Sequence, residues 1–253
     1  MEKISRRSFF KIAGAAAAVT AIDARSATSS AQPSQPSQSY QPSPPRSYTF
    51  LQPEEAHFLE AATERLIPAD ENGPGALEAG VAFYIDRQLA GAWGAGDRLY
   101  RTGPWHEGVP TQGYQLPYTP AELFRHALRG IHNDLAKRGK PFDKMAPQDQ
   151  EAYLKALESG KVDLDGVPSN VFFETLLEVT IEGFFADPVY GGNRDMVSWK
   201  MIGFPGAYAN YYQLIDQHGL HYTRAPMSLA ENGRGMIHIH PDISTHPGEH
   251  KKQ

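Results

Sequence analysis

The stretch Thr119-Pro120-Ala121-Glu122-Leu123-Phe124-Arg125-His126-Ala127-Leu128-Arg129-Gly130-Ile131-His132-Asn133-Asp134-Leu135-Ala136-Lys137-Arg138-Gly139 reads as one α-helix with both ends marked. Thr119 and Glu122 have the spacing of a capping box, and Pro120 falls at the first helical position, where a missing N–H costs nothing. Leu123, Ala127/Leu128, Ile131 and Leu135 line one stripe at helical spacing, and Gly139 with Pro141 closes the run.

The same grammar recurs on both sides. Pro53 starts a helix whose Phe58, Ala62 and Leu66 are four residues apart, and Pro68 stops it. Ala76 to Ala90 reads as a single helix with Val81, Ile85 and Leu89 on one face and Gly91 after it. Pro147 to Glu158 is shorter and stopped by Gly160. Ser169 is placed to cap a fifth helix carrying Phe172/Phe173, Leu176/Leu177, Thr180/Ile181 and Phe184. Strand-like alternation is scarce. The expected fold is all-α: one helical domain over residues 48–222 with long Gly/Pro-rich loops, a comfortable size for one core.

Three segments stand outside this pattern. Residues 91–117 and 186–206 are expected to be long loops, and residues 223–253 an extended C-terminal tail broken by Pro226, Pro241 and Pro247. Loops of such length are usually functional or disordered. Their aromatics Trp93, Trp105, Tyr190, Trp199 and Phe204 are of the type that anchors interfaces. The expectation is that loops and tail clasp a partner while the helices form the scaffold.

The N-terminus is an address. Ser5-Arg6-Arg7-Ser8-Phe9-Phe10-Lys11 matches the twin-arginine pattern S-R-R-x-F-L-K, with Phe10 as the one departure, and Arg6, Arg7, Phe9 and Lys11 carry the signal. The Ala-rich apolar stretch Ile12 to Ile22 is shorter than the ~20 residues a membrane span needs. Cleavage after Ser29 or Ala31 makes residues 1–31 a signal peptide. This route implies folded cargo, the twin-arginine translocase as a transient partner, and a periplasmic destination. Residues 32–47, QPSQPSQSYQPSPPRS, are a low-complexity linker expected to be a disordered tether.

Charge and cysteine count narrow the chemistry. Five of the 24 Lys/Arg and two of the 29 Asp/Glu lie in residues 1–31, which leaves 19 basic against 27 acidic side chains, a net charge of −8. Such a balance argues against nucleic acid or an anionic membrane surface as partner. With no cysteine, the chain has no disulfide, thiolate metal site or iron–sulfur ligand. G-x-G-x-x-G, C-x-x-C-H, G-x-S-x-G, H-E-x-x-H and P-loop motifs are all absent. No catalytic or cofactor-binding residue is assigned in this chain. The one competing material is histidine: His238, His240 and His246 could form a metal site, which would make the chain a stand-alone periplasmic metal-binding protein or metalloenzyme, against a solvated polar tail.

The string Ala186-Asp187-Pro188-Val189-Tyr190-Gly191-Gly192-Asn193-Arg194-Asp195, followed by Trp199-Lys200 and Ile202-Gly203-Phe204-Pro205-Gly206, is long and unusual. With Glu182-Gly183-Phe184-Phe185, Leu66-Ile67-Pro68-Ala69-Asp70, Gly75-Ala76 and Tyr84-Ile85-Asp86, it resembles the gluconate 2-dehydrogenase subunit 3 family over about residues 50–215. The resemblance implies a non-catalytic small subunit of an oxidoreductase acting on CH–OH donors. Its implied partners are an FAD-bearing dehydrogenase subunit of the glucose–methanol–choline type and a cytochrome c subunit. FAD and haem c would then reside in those partners, and the small subunit would carry the flavoprotein through export. The complex would be periplasmic and membrane-associated. No catalytic residue set carries over.

Overall fold

The structure is a computed structural model, and it describes residues 47–106, 108, 109, 112, 114–207, 216, 219 and 225–229. The helices are α1 (Pro53–Leu66), α2 (Ala76–Ala79), α3 (Val81–Ala90), α4 (Ala92–Ala95), α5 (Pro120–Arg138), α6 (Pro147–Glu158), α7 (Ser169–Phe185) and α8 (Val197–Ile202). Single 3₁₀ turns lie at Phe142–Lys144, Pro188–Tyr190 and Arg194–Met196. Among the described residues there is no β-strand, only the isolated bridges Asp70–Gly73, Leu164–Val167 and Gly206–Met227.

Helix α7 is the axis of the domain. It packs on α1, α2, α3, α5, α6 and α8. Its sequence explains why: its charged residues, Glu174, Glu178 and Glu182, all share the exposed face, and the rest is mostly apolar. A helix apolar around most of its circumference finds its minimum at the centre of a core. Phe172 and Phe184 are buried, and Phe172 meets Phe124 of α5 edge to face with centroids 5.2 Å apart.

The local signals at α5 hold. Thr119 accepts from the Glu122 amide at 3.2 Å, and Glu122 accepts from the Thr119 amide at 2.8 Å. That contact holds the Glu122 carboxyl below its usual range. Gly139 closes the helix in the left-handed conformation.

Two local expectations fail. Residues 76–90 are not one helix: Gly80, at φ 73°, ends α2 and starts α3. The apolar phase of Val81, Ile85 and Leu89 continues through the break, which is why periodicity does not reveal it. A side chain at 80 would be strained by the left-handed backbone and would press on the Arg194 guanidinium. Ser169 does not cap α7 either. Pro168 holds the capping position, and the Ser169 hydroxyl donates instead to the Leu157 carbonyl of α6 at 3.0 Å. Its role is to join the two helices.

Residues 91–117 contain one regular element, α4, and the remainder of the described part is irregular. No helix of the described residues is long and apolar enough to cross a membrane.

Candidate functional site

The site is built on the C-terminal end of α7. A helix leaves its last carbonyls without intrahelical donors, and α7 ends inside the protein with no basic residue in its last turn to help. The 186–206 segment supplies the donors. The Asn193 amide donates to the Gly183 carbonyl at 3.0 Å. The Ser198 hydroxyl lies against the Phe184 carbonyl and 2.6 Å from Asn193 Oδ1, its single proton serving one of the two. Trp199 Nε1 donates to the Phe185 carbonyl at 2.8 Å, and Asn193 Nδ2 donates to the Ala186 carbonyl at 2.9 Å. Asn193 Oδ1 also accepts from the Ser198 amide at 3.0 Å. Asn193, Ser198 and Trp199 thus terminate the central helix carbonyl by carbonyl. Asn193 and Ser198 are fully buried, and each buried polar group among them has a partner.

The backbone bends sharply to do this. Asn193, Asp195 and Met196 have φ of 43°, 56° and 56°. Asn and Asp tolerate this region, whereas Met196 holds strain of roughly 1–2 kcal/mol. The cap network overrides it.

Asp187 organises the rim. Its carboxylate accepts from the Val189 amide at 2.9 Å, from the Ser228 hydroxyl at 2.6 Å and from the Leu229 amide at 2.8 Å. Nearby the Met227 amide donates to the Pro205 carbonyl at 3.1 Å, and the Ala207 amide to the Met227 carbonyl at 2.7 Å. On the other flank Arg87 donates to the Val189 carbonyl at 3.2 Å, and the Tyr84 hydroxyl donates to Glu182 at 3.2 Å. Burial, followed by the Glu182 charge, pushes the Tyr84 phenol well above its ordinary value.

These contacts correct two expectations. The 186–206 segment is not a free arm: it folds onto its own domain as two 3₁₀ turns and α8, because its polar side chains are consumed by the end of α7. The tail expected to be extended over 223–253 is fastened to its own domain at residues 227–229, by Asp187 and the Pro205–Ala207 backbone.

The five proposed anchors therefore divide. Trp199 is 5% exposed and belongs to the core, with Phe204 edge-on against it at 5.1 Å. Tyr190 at 51%, Phe204 at 45%, Trp105 at 39% and Trp93 at 37% present surface to solvent. Val189, Ile202 and Leu229 are also exposed around the loop. Among the residues that do the structural work there, Asp187 and Asn193 were legible in the sequence only as part of the family string, and Ser198 was not singled out. His238, His240 and His246, and the signal residues Arg6, Arg7, Phe9 and Lys11, lie outside the described residues. Among those described, no three potential metal ligands come together. A hollow of 280 Å³ beside α1 is lined by His57, Glu60, Glu64, Arg65, Leu77 and Gln150, among others. Of its polar groups, Glu64 takes the Ala69 and Leu77 amides, Arg65 pairs with Gln150, and Glu60 takes the Tyr48 hydroxyl.

Among the described residues the domain is helical and strand-free, closed at one end by a glycine–asparagine cap with exposed aromatics around it. The family model for gluconate 2-dehydrogenase subunit 3 matches residues 53–206, and the chain belongs to that family. The match ends at Gly206 and so takes in the whole α7 cap. A second model, for the twin-arginine translocation pathway signal sequence, matches residues 3–22, which directs export across the cytoplasmic membrane. Neither comparison with curated proteins nor comparison with solved structures returns a match.

Proposed function

We propose that this chain is the non-catalytic small subunit of a periplasmic, membrane-associated, FAD-dependent complex of the gluconate 2-dehydrogenase type, and that it supports folding, export and assembly of the flavoprotein subunit. FAD and haem c reside in the partner subunits, the second being a cytochrome c. The observation that carries this reading is the joint presence, on one chain, of the subunit 3 family match and a twin-arginine signal. A subunit bearing the export address can bring a folded partner with it. The α7 cap supports the same reading, because it spends its polar side chains on the chain's own backbone and leaves Tyr190 and Phe204 facing solvent. Exposed aromatics on a rigid base are the usual anchors of a protein interface.

The test is export of the pair. Arg6→Lys with Arg7→Lys should leave both this chain and the flavoprotein in the cytoplasm, read by fractionation and dye-linked gluconate oxidation. Normal periplasmic flavoprotein in that variant would overturn the carrier role.

A further inference from the structure

The first described residues of the folded domain are held in a way their side chains alone do not require. The Thr49 amide donates to Asp86 Oδ2 at 2.8 Å, and the Phe50 and Leu51 amides both donate to Asp86 Oδ1 at 2.9 Å. Asp86 lies on α3 and is buried. The Phe50 carbonyl accepts from Arg125 of α5 at 2.7 Å, and the Arg125 guanidinium lies 4.1 Å from the centre of the Phe50 ring while pairing with Glu55 of α1. Tyr48 stacks on Phe83 of α3 at 4.5 Å and donates to Glu60 of α1 at 2.5 Å.

The contacts draw on three helices, most of them on α3. Asp86 comes from α3, Arg125 from α5, and Glu55 and Glu60 from α1. A segment of four residues has no structure of its own, and these partners stand together only once the three helices have packed. The dependence also runs the other way. With the segment detached, the Asp86 carboxylate would lose all three of its donors in a buried site, which is strongly unfavourable. The full set of contacts is therefore available only in the assembled core, since α3 alone offers Asp86 and Phe83 while Arg125 and Glu60 come from α5 and α1.

We propose that residues 48–51 are a folding-completion latch for export. An export signal matches residues 3–22, and the chain that follows it enters the folded domain through this latch. A route that carries folded cargo must distinguish assembled from unassembled chains. Here residues 48–51, among the first described, are held by the assembled helices themselves. The proposal rests on the signal and on the Asp86 geometry, and it is independent of which partner the chain carries.

The experiment uses the full chain in a twin-arginine-competent bacterium. Asp86→Asn removes acceptor capacity from the core side, and Tyr48→Ala with Phe50→Ala weakens the latch from the segment side without changing a helix residue. Leu157→Ala, a buried truncation on α6, serves as a control that lowers stability and leaves the latch intact. Hydrogen exchange at residues 49–51, thermal melting and the periplasmic fraction are measured on each. The expected result is a cooperative helical melt, lost protection at 49–51, and a several-fold lower exported fraction than in the control at equal loss of melting temperature. Export equal to the control despite an open latch would overturn the proposal, as would unchanged protection at 49–51 in Asp86→Asn. If Asp86→Asn does not fold, the Tyr48→Ala/Phe50→Ala pair decides by the same readouts.

Discussion

The α-carbon of Gly192 lies directly against the carbonyl of Gly183, so that a β-carbon at 192 would fall inside the van der Waals envelope of that oxygen. This approach brings the next amide, that of Asn193, onto the same carbonyl at 3.0 Å and starts the cap of α7. Two glycines nine positions apart thereby set how the central helix ends.

Gly192→Ala should cost about 3 kcal/mol or more, because the clash is with backbone that cannot swing aside. Gly139→Ala is the contrast. It has a left-handed φ of 72° with nothing within 4 Å, and should cost only about 1–2 kcal/mol from backbone strain. Denaturant unfolding of the two variants checks the order. Equal losses would show that contact is not what makes Gly192 necessary.

Asn193→Ala removes two acceptor–donor roles at once. It leaves the buried Ser198 amide and the Ala186 carbonyl without their side-chain partners, and places alanine at a positive φ. A loss of about 2–4 kcal/mol is expected. Ser198→Ala should cost less, about 1–2 kcal/mol, since the Ser198 amide keeps its bond to Asn193. Chemical denaturation of both variants measures the difference.

Trp199 and Tyr190 should separate stability from binding. Trp199→Ala deletes a buried ring and its bond to Phe185, and should destabilise the chain by about 3–5 kcal/mol. Tyr190→Ala and Trp105→Ala should change stability by less than about 1 kcal/mol. On the proposed function they weaken retention of the flavoprotein on an affinity-tagged chain, by an amount equivalent to about 2 kcal/mol if either is a hot spot. Unchanged retention in both variants would remove these rings from the interface.

The α5 cap carries a pH signature. The Thr119 amide and hydroxyl hold the Glu122 carboxyl below its ordinary value. A carboxylate depressed by folding stabilises the native state above its unfolded pKa and loses that contribution as pH falls through the folded one. Glu122→Gln should therefore cost about 0.3–1 kcal/mol near pH 7, the small value fitting an exposed group at a helix start. The difference from the parent chain should shrink as pH falls below the ordinary glutamate range and be lost once the depressed folded-state carboxyl is itself protonated. Urea titrations at pH 7 and pH 3.5 check it.

Much of the fold was legible because its signals are local. A capping box, a proline at the first helical position and a glycine at the end each act within a few residues, so Thr119, Pro53, Pro147 and Gly139 mark helix ends in any context. Apolar phase likewise identifies the buried faces of α1, α5 and α7. The break at Gly80 was not legible, because the phase runs through it and the crowding that favours glycine comes from Arg194, more than a hundred positions away. Ser169 has the composition of a cap, yet its hydroxyl answers a carbonyl on α6 that only packing brings near.

The functional stretch shows the division most sharply. Its residue types alone announced a family, as Ser5–Lys11 announced an export address, since identity and composition do not depend on where atoms end up. Whether Trp199 faces a partner or the core depends on which carbonyls α7 leaves open once the chain has reversed on itself. Asn193, Ser198 and Trp199 reach back 7 to 14 residues to those carbonyls. Hydrogen-bond demand at a buried helix end is a property of the assembled domain, and that demand drew Trp199 inward while leaving Tyr190 and Phe204 at the surface.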